Sequence, residues 1–102
     1  KSDPNRGKGI MAKNFRILSK EENNRSVRIQ LKGDFDGTSA HELANILNKY
    51  DASYPKVEID TEGLKSVNVF GLDVFTLRLK LLRRSHARII FTGRFKFNFL
   101  QS

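Results

Sequence analysis

Apolar and polar residues alternate cleanly from Ser26 to Lys32. Val27, Ile29 and Leu31 face one way, and Arg28, Gln30 and Lys32 face the other. A period of two predicts a half-buried β-strand. Upstream, Phe15, Ile17 and Ser19 alternate with Arg16 and Leu18, which predicts a shorter strand. The polar run Glu21-Glu22-Asn23-Asn24 between them supplies turn residues, so the two strands are expected to form a hairpin.

Beyond Lys32 the period changes. Ala40, Leu43, Ala44, Ile46, Leu47 and Tyr50 recur at the spacing of one helical face, predicting a helix over Ser39–Tyr50. Ser39 followed by Glu42 reads as a capping box, in which the hydroxyl accepts from a free amide and the glutamate reaches back. Asp51 to Pro55 is expected to turn. Lys56–Asp60 follows as a strand with Val57 and Ile59 inward, then Leu64 and Val67 start a second short apolar segment. Gly71–Arg84 reads as a second helix. Its apolar set, Leu72, Val74, Phe75, Leu77, Leu79, Leu81 and Leu82, is broad enough to predict burial on two sides, with Arg78, Lys80, Arg83 and Arg84 left in water. Ala87–Thr92 is a strand expected to be covered on at least one face, Gly93 breaks it, and Phe95–Leu100 forms a last helical turn or two. After the hairpin, strands alternate with helices. The predicted class is therefore α/β: a mixed sheet with parallel members, joined by right-handed crossovers, with helices packed on it.

Composition narrows the setting. A length of 102 residues suits one domain with a modest core. No run of about 18 apolar residues exists, so no transmembrane helix and no membrane insertion are expected. Lys1–Ile10 has no apolar stretch of the signal-peptide kind. Zero cysteines excludes disulfides, thiolate catalysis and cysteine-ligated metals, and fits a cytoplasmic protein. Residues 1–13, with Pro4, Gly7 and Gly9, read as a flexible leader before a domain over residues 14–102. Met11 is a candidate natural start, which makes residues 1–10 a candidate vector remnant. The net charge of +8 is uneven. Residues 1–32 hold nine bases and three acids, residues 33–62 two and seven, and residues 63–102 eight and one. Such a balance raises the case for an acidic partner, whether nucleic acid, membrane surface or protein, although a plain solvated surface of lysines and arginines is the preferred reading.

No catalytic constellation stands out, so an enzyme is not expected. Gly33-Asp34-Phe35-Asp36-Gly37 has two carboxylates but lacks the further oxygen ligands and closing glutamate of a calcium loop, so no metal is expected. It reads instead as a strand-to-helix turn in which Asp36 bonds nearby backbone amides. His41 and His86 have no acid or nucleophile at a suggestive spacing and read as surface histidines. Gly7-Lys8-Gly9 lacks the preceding strand of a phosphate loop, and no cofactor is implied. One alternative remains. Arg94-Phe95-Lys96-Phe97-Asn98-Phe99 interleaves bases with aromatics, as single-stranded nucleic-acid binders do. With Arg78, Arg83 and Arg84 it supports a small basic nucleic-acid-associated protein as a second reading. Core packing of Phe95, Phe97 and Phe99 is the preferred one.

Two motifs add a resemblance. Ser66-Val67-Asn68-Val69-Phe70-Gly71-Leu72, between a short apolar strand and a helix, together with Gly33-Asp34-Phe35-Asp36, resembles the STAS domain of the anti-anti-sigma factor family. The family's later motif reads Asp-Ser-Ser-Gly-Leu, and its first serine is phosphorylated by a partner kinase. Here Asn68 stands at the aspartate position, Val69 at the acceptor serine and Phe70 at the second serine, while Gly71 and Leu72 match. The earlier stretch is similar to the family's Gly-Glu-Leu-Asp. The resemblance spans about Phe15 to Leu100. It implies a mixed sheet of about four to five strands, helices mainly on one face, and an anti-sigma kinase as partner. It places partner contacts at Asp36, Gly37, Thr38, Asn68, Val69, Phe70 and Gly71. Val69 has no hydroxyl to phosphorylate, and Ser66 and Thr38 do not match the acceptor position. Two outcomes stay open: constitutive binding without a phosphorylation off-state, or an apolar patch for a different partner.

Overall fold

The computed structural model describes residues 14–22, 25–50, 54–82 and 88–100. Among them, four strands and three helices follow in the order β1 (Arg16–Glu22), β2 (Ser26–Phe35), α1 (Gly37–Lys49), β3 (Lys56–Val67), α2 (Val69–Leu82), β4 (Arg88–Thr92) and α3 (Lys96–Leu100). The strands form one sheet in the order β1-β2-β3-β4. β1 and β2 are antiparallel, as the expected hairpin requires, with Ile17 opposite Leu31. β2 runs parallel to β3, and β3 parallel to β4. Both crossovers step the same way across the sheet, so crossovers of one hand deliver α1 and α2 to the same face. The predicted α/β class with helices on one face is the observed one.

Alternation in β2 explains that face. Val27, Ile29, Leu31 and Phe35 are buried there with Val57, Ile59 and Leu64 of β3. Ala40, Leu43 and Leu47 of α1 and Leu72 and Phe75 of α2 close over them. Phe99 of α3 fills the end of the same cluster, stacked on Phe91 at 5.2 Å between ring centroids and edge-on to Phe35 at 5.0 Å. The opposite face carries the polar partners of the alternation. There Arg28 pairs with Asp60 at 2.7 Å, and Thr92 donates to Glu58 at 3.1 Å.

Several boundaries differ from the expectation. Glu21 and Glu22 lie in β1 rather than in a turn, paired with Val27 and Ser26. Lys56–Val67 is one strand of 12 residues, not two segments. Its apolar pattern breaks at Thr61-Glu62-Gly63, but the parallel ladder with β2 continues across a register shift. α1 starts at Gly37, two residues earlier than predicted, because Asp36 caps it and Ser39 does not. α2 starts at Val69, and only one of its faces is buried: Leu77 and Leu81 are exposed. The leader, Asn23 and Asn24, Asp51–Ser53, and Arg83–Ala87 with His86 lie outside the described residues.

Candidate functional site

The two segments singled out by sequence converge at the carboxyl ends of β2 and β3. Phe35 and Val67 are register partners on these parallel neighbours, so the chain leaves both strands side by side. The amide of Asn68 donates to the Phe35 carbonyl at 2.8 Å and ties the two exits together.

Each exit turns directly into a capped helix. Asp36 has extended backbone, and its Oδ1 accepts from the Ser39 amide at 3.0 Å. That is the N-cap contact an aspartate supplies. The Ser39 hydroxyl is buried and donates to the Asp34 carbonyl at 2.9 Å, so it braces the turn instead of forming the predicted capping box. Asn68 does the same for α2: its Oδ1 accepts from the Gly71 amide at 3.2 Å, and its carbonyl accepts from the Leu72 amide at 3.1 Å. Ser66 donates to the Asp34 carboxylate at 2.8 Å, adding a side-chain tie between the two exits.

Glycines let the helix starts touch. A Cβ on Gly71 would sit 2.7 Å from the Asp36 carbonyl carbon, which no side chain tolerates. A Cβ on Gly37 would sit 3.3 Å from the Phe70 ring, so the ring lies across Gly37. Around this contact Asp36, Gly37 and Thr38 are half-buried, while Asn68, Val69 and Phe70 are exposed. The structure thus brings all seven predicted contact residues to the two adjoining helix starts. Val69 and Phe70 are 71% and 68% exposed, large apolar side chains held in water on a capped, braced scaffold. Four amides at a helix start have no partner within the helix. Val69, the first residue of α2, offers no hydroxyl to that end.

The remaining candidates do not converge. His41 is exposed, and its Nδ1 lies 2.6 Å from Nη1 of Arg78, which donates to it. Arg78 also donates to Asn45 at 2.9 Å. Arg94 commits one guanidinium nitrogen to the Leu64 carbonyl at 2.9 Å. Phe99 is buried and Phe95 packs against the core, so two of the three interleaved aromatics serve packing, and Phe97 alone is exposed. Among the described residues no group of three His, Asp or Glu side chains could hold a metal ion. No helix among them is long and apolar enough to cross a membrane. A shallow groove between β1 and α1, lined by Phe15, Ile17, Glu42 and Ile46, lies apart from the two helix starts.

On the open face of the sheet, burial pushes the Asp60 carboxyl upward, but the Glu62 amide and the Arg28 guanidinium outweigh it and hold the group below the usual carboxylate range. That cluster stabilises the sheet. One feature escaped the sequence reading: the row Phe70, Val74, Leu77 and Leu81 along the outer side of α2. The signal was the excess of apolar residues over what one buried face needs.

No family model and no curated protein matches this chain. Solved structures share its architecture. The anti-sigma factor antagonist SpoIIAA in its unphosphorylated form superposes with a TM-score of 0.62 at 14% identity, covering 84% of this chain and 82% of that one. An antisigma-factor antagonist STAS domain from Rhodobacter sphaeroides gives 0.63 at 15% identity, covering 83% and 89%. An anti-sigma factor antagonist from Mycobacterium paratuberculosis gives 0.57 at 17% identity, covering 78% and 69%. At such identities the likeness establishes a STAS-like fold, and function has to be argued from the site.

Proposed function

We propose that this chain is a non-enzymatic regulatory module that binds another protein through its paired helix starts, in the manner of an anti-sigma factor antagonist. The observation that carries the reading is the pair Val69 and Phe70, apolar and solvent-exposed beside two satisfied helix caps. Exposed apolar side chains on a rigid rim are how protein interfaces anchor. Asp36, Gly37, Thr38, Asn68 and Gly71 supply the frame that presents them. The structural neighbours named as anti-sigma factor antagonists support a partner of the anti-sigma kinase kind. The basic surface equally suits an acidic protein.

Without a hydroxyl at Val69, phosphorylation at the usual position does not switch this module. Binding is governed instead by the amount and availability of the partner. The test is capture from the native cell lysate on immobilised wild type and on Phe70→Asp, followed by titration of the recovered protein against both. The reading holds if wild type retains a regulator that Phe70→Asp loses. Recovery of nucleic acid, indifferent to Phe70→Asp and released by salt, would sink it in favour of the basic-surface alternative.

A further inference from the structure

The outer side of α2 is apolar along its whole length. Phe70, Leu77 and Leu81 are 68%, 60% and 67% exposed, and half-buried Val74 lies between them. Their spacing of four, three and four residues is that of a coiled-coil seam, and it keeps them within about 60° of the helix circumference. Leu72 and Phe75 already serve the core from the other side. Among the described residues, Phe70, Leu77 and Leu81 therefore stay largely uncovered, while Val74 packs in part against the core.

We propose that α2 is a self-association surface, on which two copies of this chain pair through antiparallel α2 helices about a two-fold axis between Val74 and Leu77. The charges flanking the seam favour a second copy. Asp73 and Lys80 lie two turns apart on one flank, and neither has an ion-pair partner among the described residues. Asp73 is also the sole acid in residues 63–102. A two-fold axis sets each contact twice. With Val74 against the partner subunit's Leu77, and Phe70 against the partner subunit's Leu81, antiparallel helices bring the same flank of each copy together. Asp73 then faces the partner subunit's Lys80, and Lys80 faces the partner subunit's Asp73. A parallel pair would set Asp73 against Arg78, which Asn45 and His41 already engage, and would leave Lys80 without an acid.

The net charge of +8 opposes association at long range. Screening beyond about 8 Å at physiological ionic strength leaves the contact pairs to decide. A helix of 14 residues is about 21 Å long, so its face falls short of the ~800 Å² per partner of a standard interface. The dimer is accordingly weak and concentration-dependent. The inference does not rest on the partner-binding reading, with which it shares only Phe70.

Sedimentation equilibrium of the full chain over a concentration series tests it. Wild type is expected to show a monomer–dimer equilibrium that Leu77→Asp abolishes, with Leu81→Asp as a second disruption of the seam. Asp73→Lys and Lys80→Asp, both at exposed positions, each weaken it about tenfold by setting like charges together. Mixing these two variants in equal amounts recovers association as a heterodimer. One copy then carries a base at both flank positions and the other an acid at both, so each cross-pair is again of opposite sign. Helical circular dichroism confirms that each variant is folded. A wild type that stays monomeric throughout, a dimer unmoved by Leu77→Asp and Leu81→Asp, or failure of the mixed variants to pair would each overturn the proposal.

Discussion

Gly71 packs directly on the backbone of Asp36: a Cβ there would lie 2.7 Å from the Asp36 carbonyl carbon and 2.9 Å from its Cα. The obstruction is main chain on a capped helix start, which cannot rotate away. Gly71→Ala is therefore expected to destabilise the fold by about 1–3 kcal/mol, despite the better helix propensity of alanine. Urea denaturation reads the difference. An alanine variant as stable as wild type would mean that the two helix starts are free to separate.

Asn68 caps α2 through its side-chain oxygen on the Gly71 amide. Asn68→Ala removes that acceptor and is expected to lose about 1 kcal/mol, whereas Asn68→Asp keeps it and adds a charge suited to a helix start. The ordering of the three proteins in thermal denaturation checks the cap. It also checks that asparagine fills the aspartate position of the resembling motif in capping.

Stability and binding are expected to part company at Val69. Its side chain is exposed at the first residue of α2. Val69→Asp places a negative charge at the positive end of the helix dipole, which stabilises by about 0.3–1 kcal/mol at low salt. The same charge disrupts an apolar contact surface. A variant with raised melting temperature and lost partner retention fits the proposed site, and retained binding would move the site elsewhere.

Acid should weaken the sheet through Asp60. Its carboxyl is held below the ordinary range by the Glu62 amide and by Arg28 at 2.7 Å, against the opposing effect of burial. The unfolded chain thus binds this proton more readily than the folded one, and stability rises with pH across the interval between the two values. The contribution is complete above the unfolded-chain value of about 3.9 and is lost as pH falls through the folded one. Asp60→Asn is expected to be less stable than wild type at neutral pH and to show a shallower loss in acid. Parallel urea titrations over the acid range measure both.

Much of this was legible in the residues. Val27, Ile29 and Leu31 announced the central strand, and Ala40, Leu43 and Leu47 announced the inner face of α1, because burial on one side imprints a period. The two helix-start segments stand out by their resemblance to the STAS motifs rather than by any period of their own. Four things were hidden for physical reasons. Ser39 and Glu42 satisfied the capping-box pattern, but Asp36 lies three residues before Ser39 and reached its amide first. Thr61, Glu62 and Gly63 interrupted the apolar pattern of β3, while strand pairing with β2, which leaves no trace in a single segment, carried it through. The apolar circumference of α2 signalled that two sides want cover, but tertiary packing alone decides which side the sheet takes. The lie of the Phe70 ring across Gly37 likewise depends on two strands far apart in sequence ending in register.

The bond from the Asn68 amide to the Phe35 carbonyl has a thermodynamic corollary. Because the two strand exits are already fastened to each other in the lone chain, a visitor to this rim finds its shape in place and has no loop to order. Association there would forgo the entropic penalty of folding upon binding, and the proposed contact rim would behave as a hard template rather than as a closing hand.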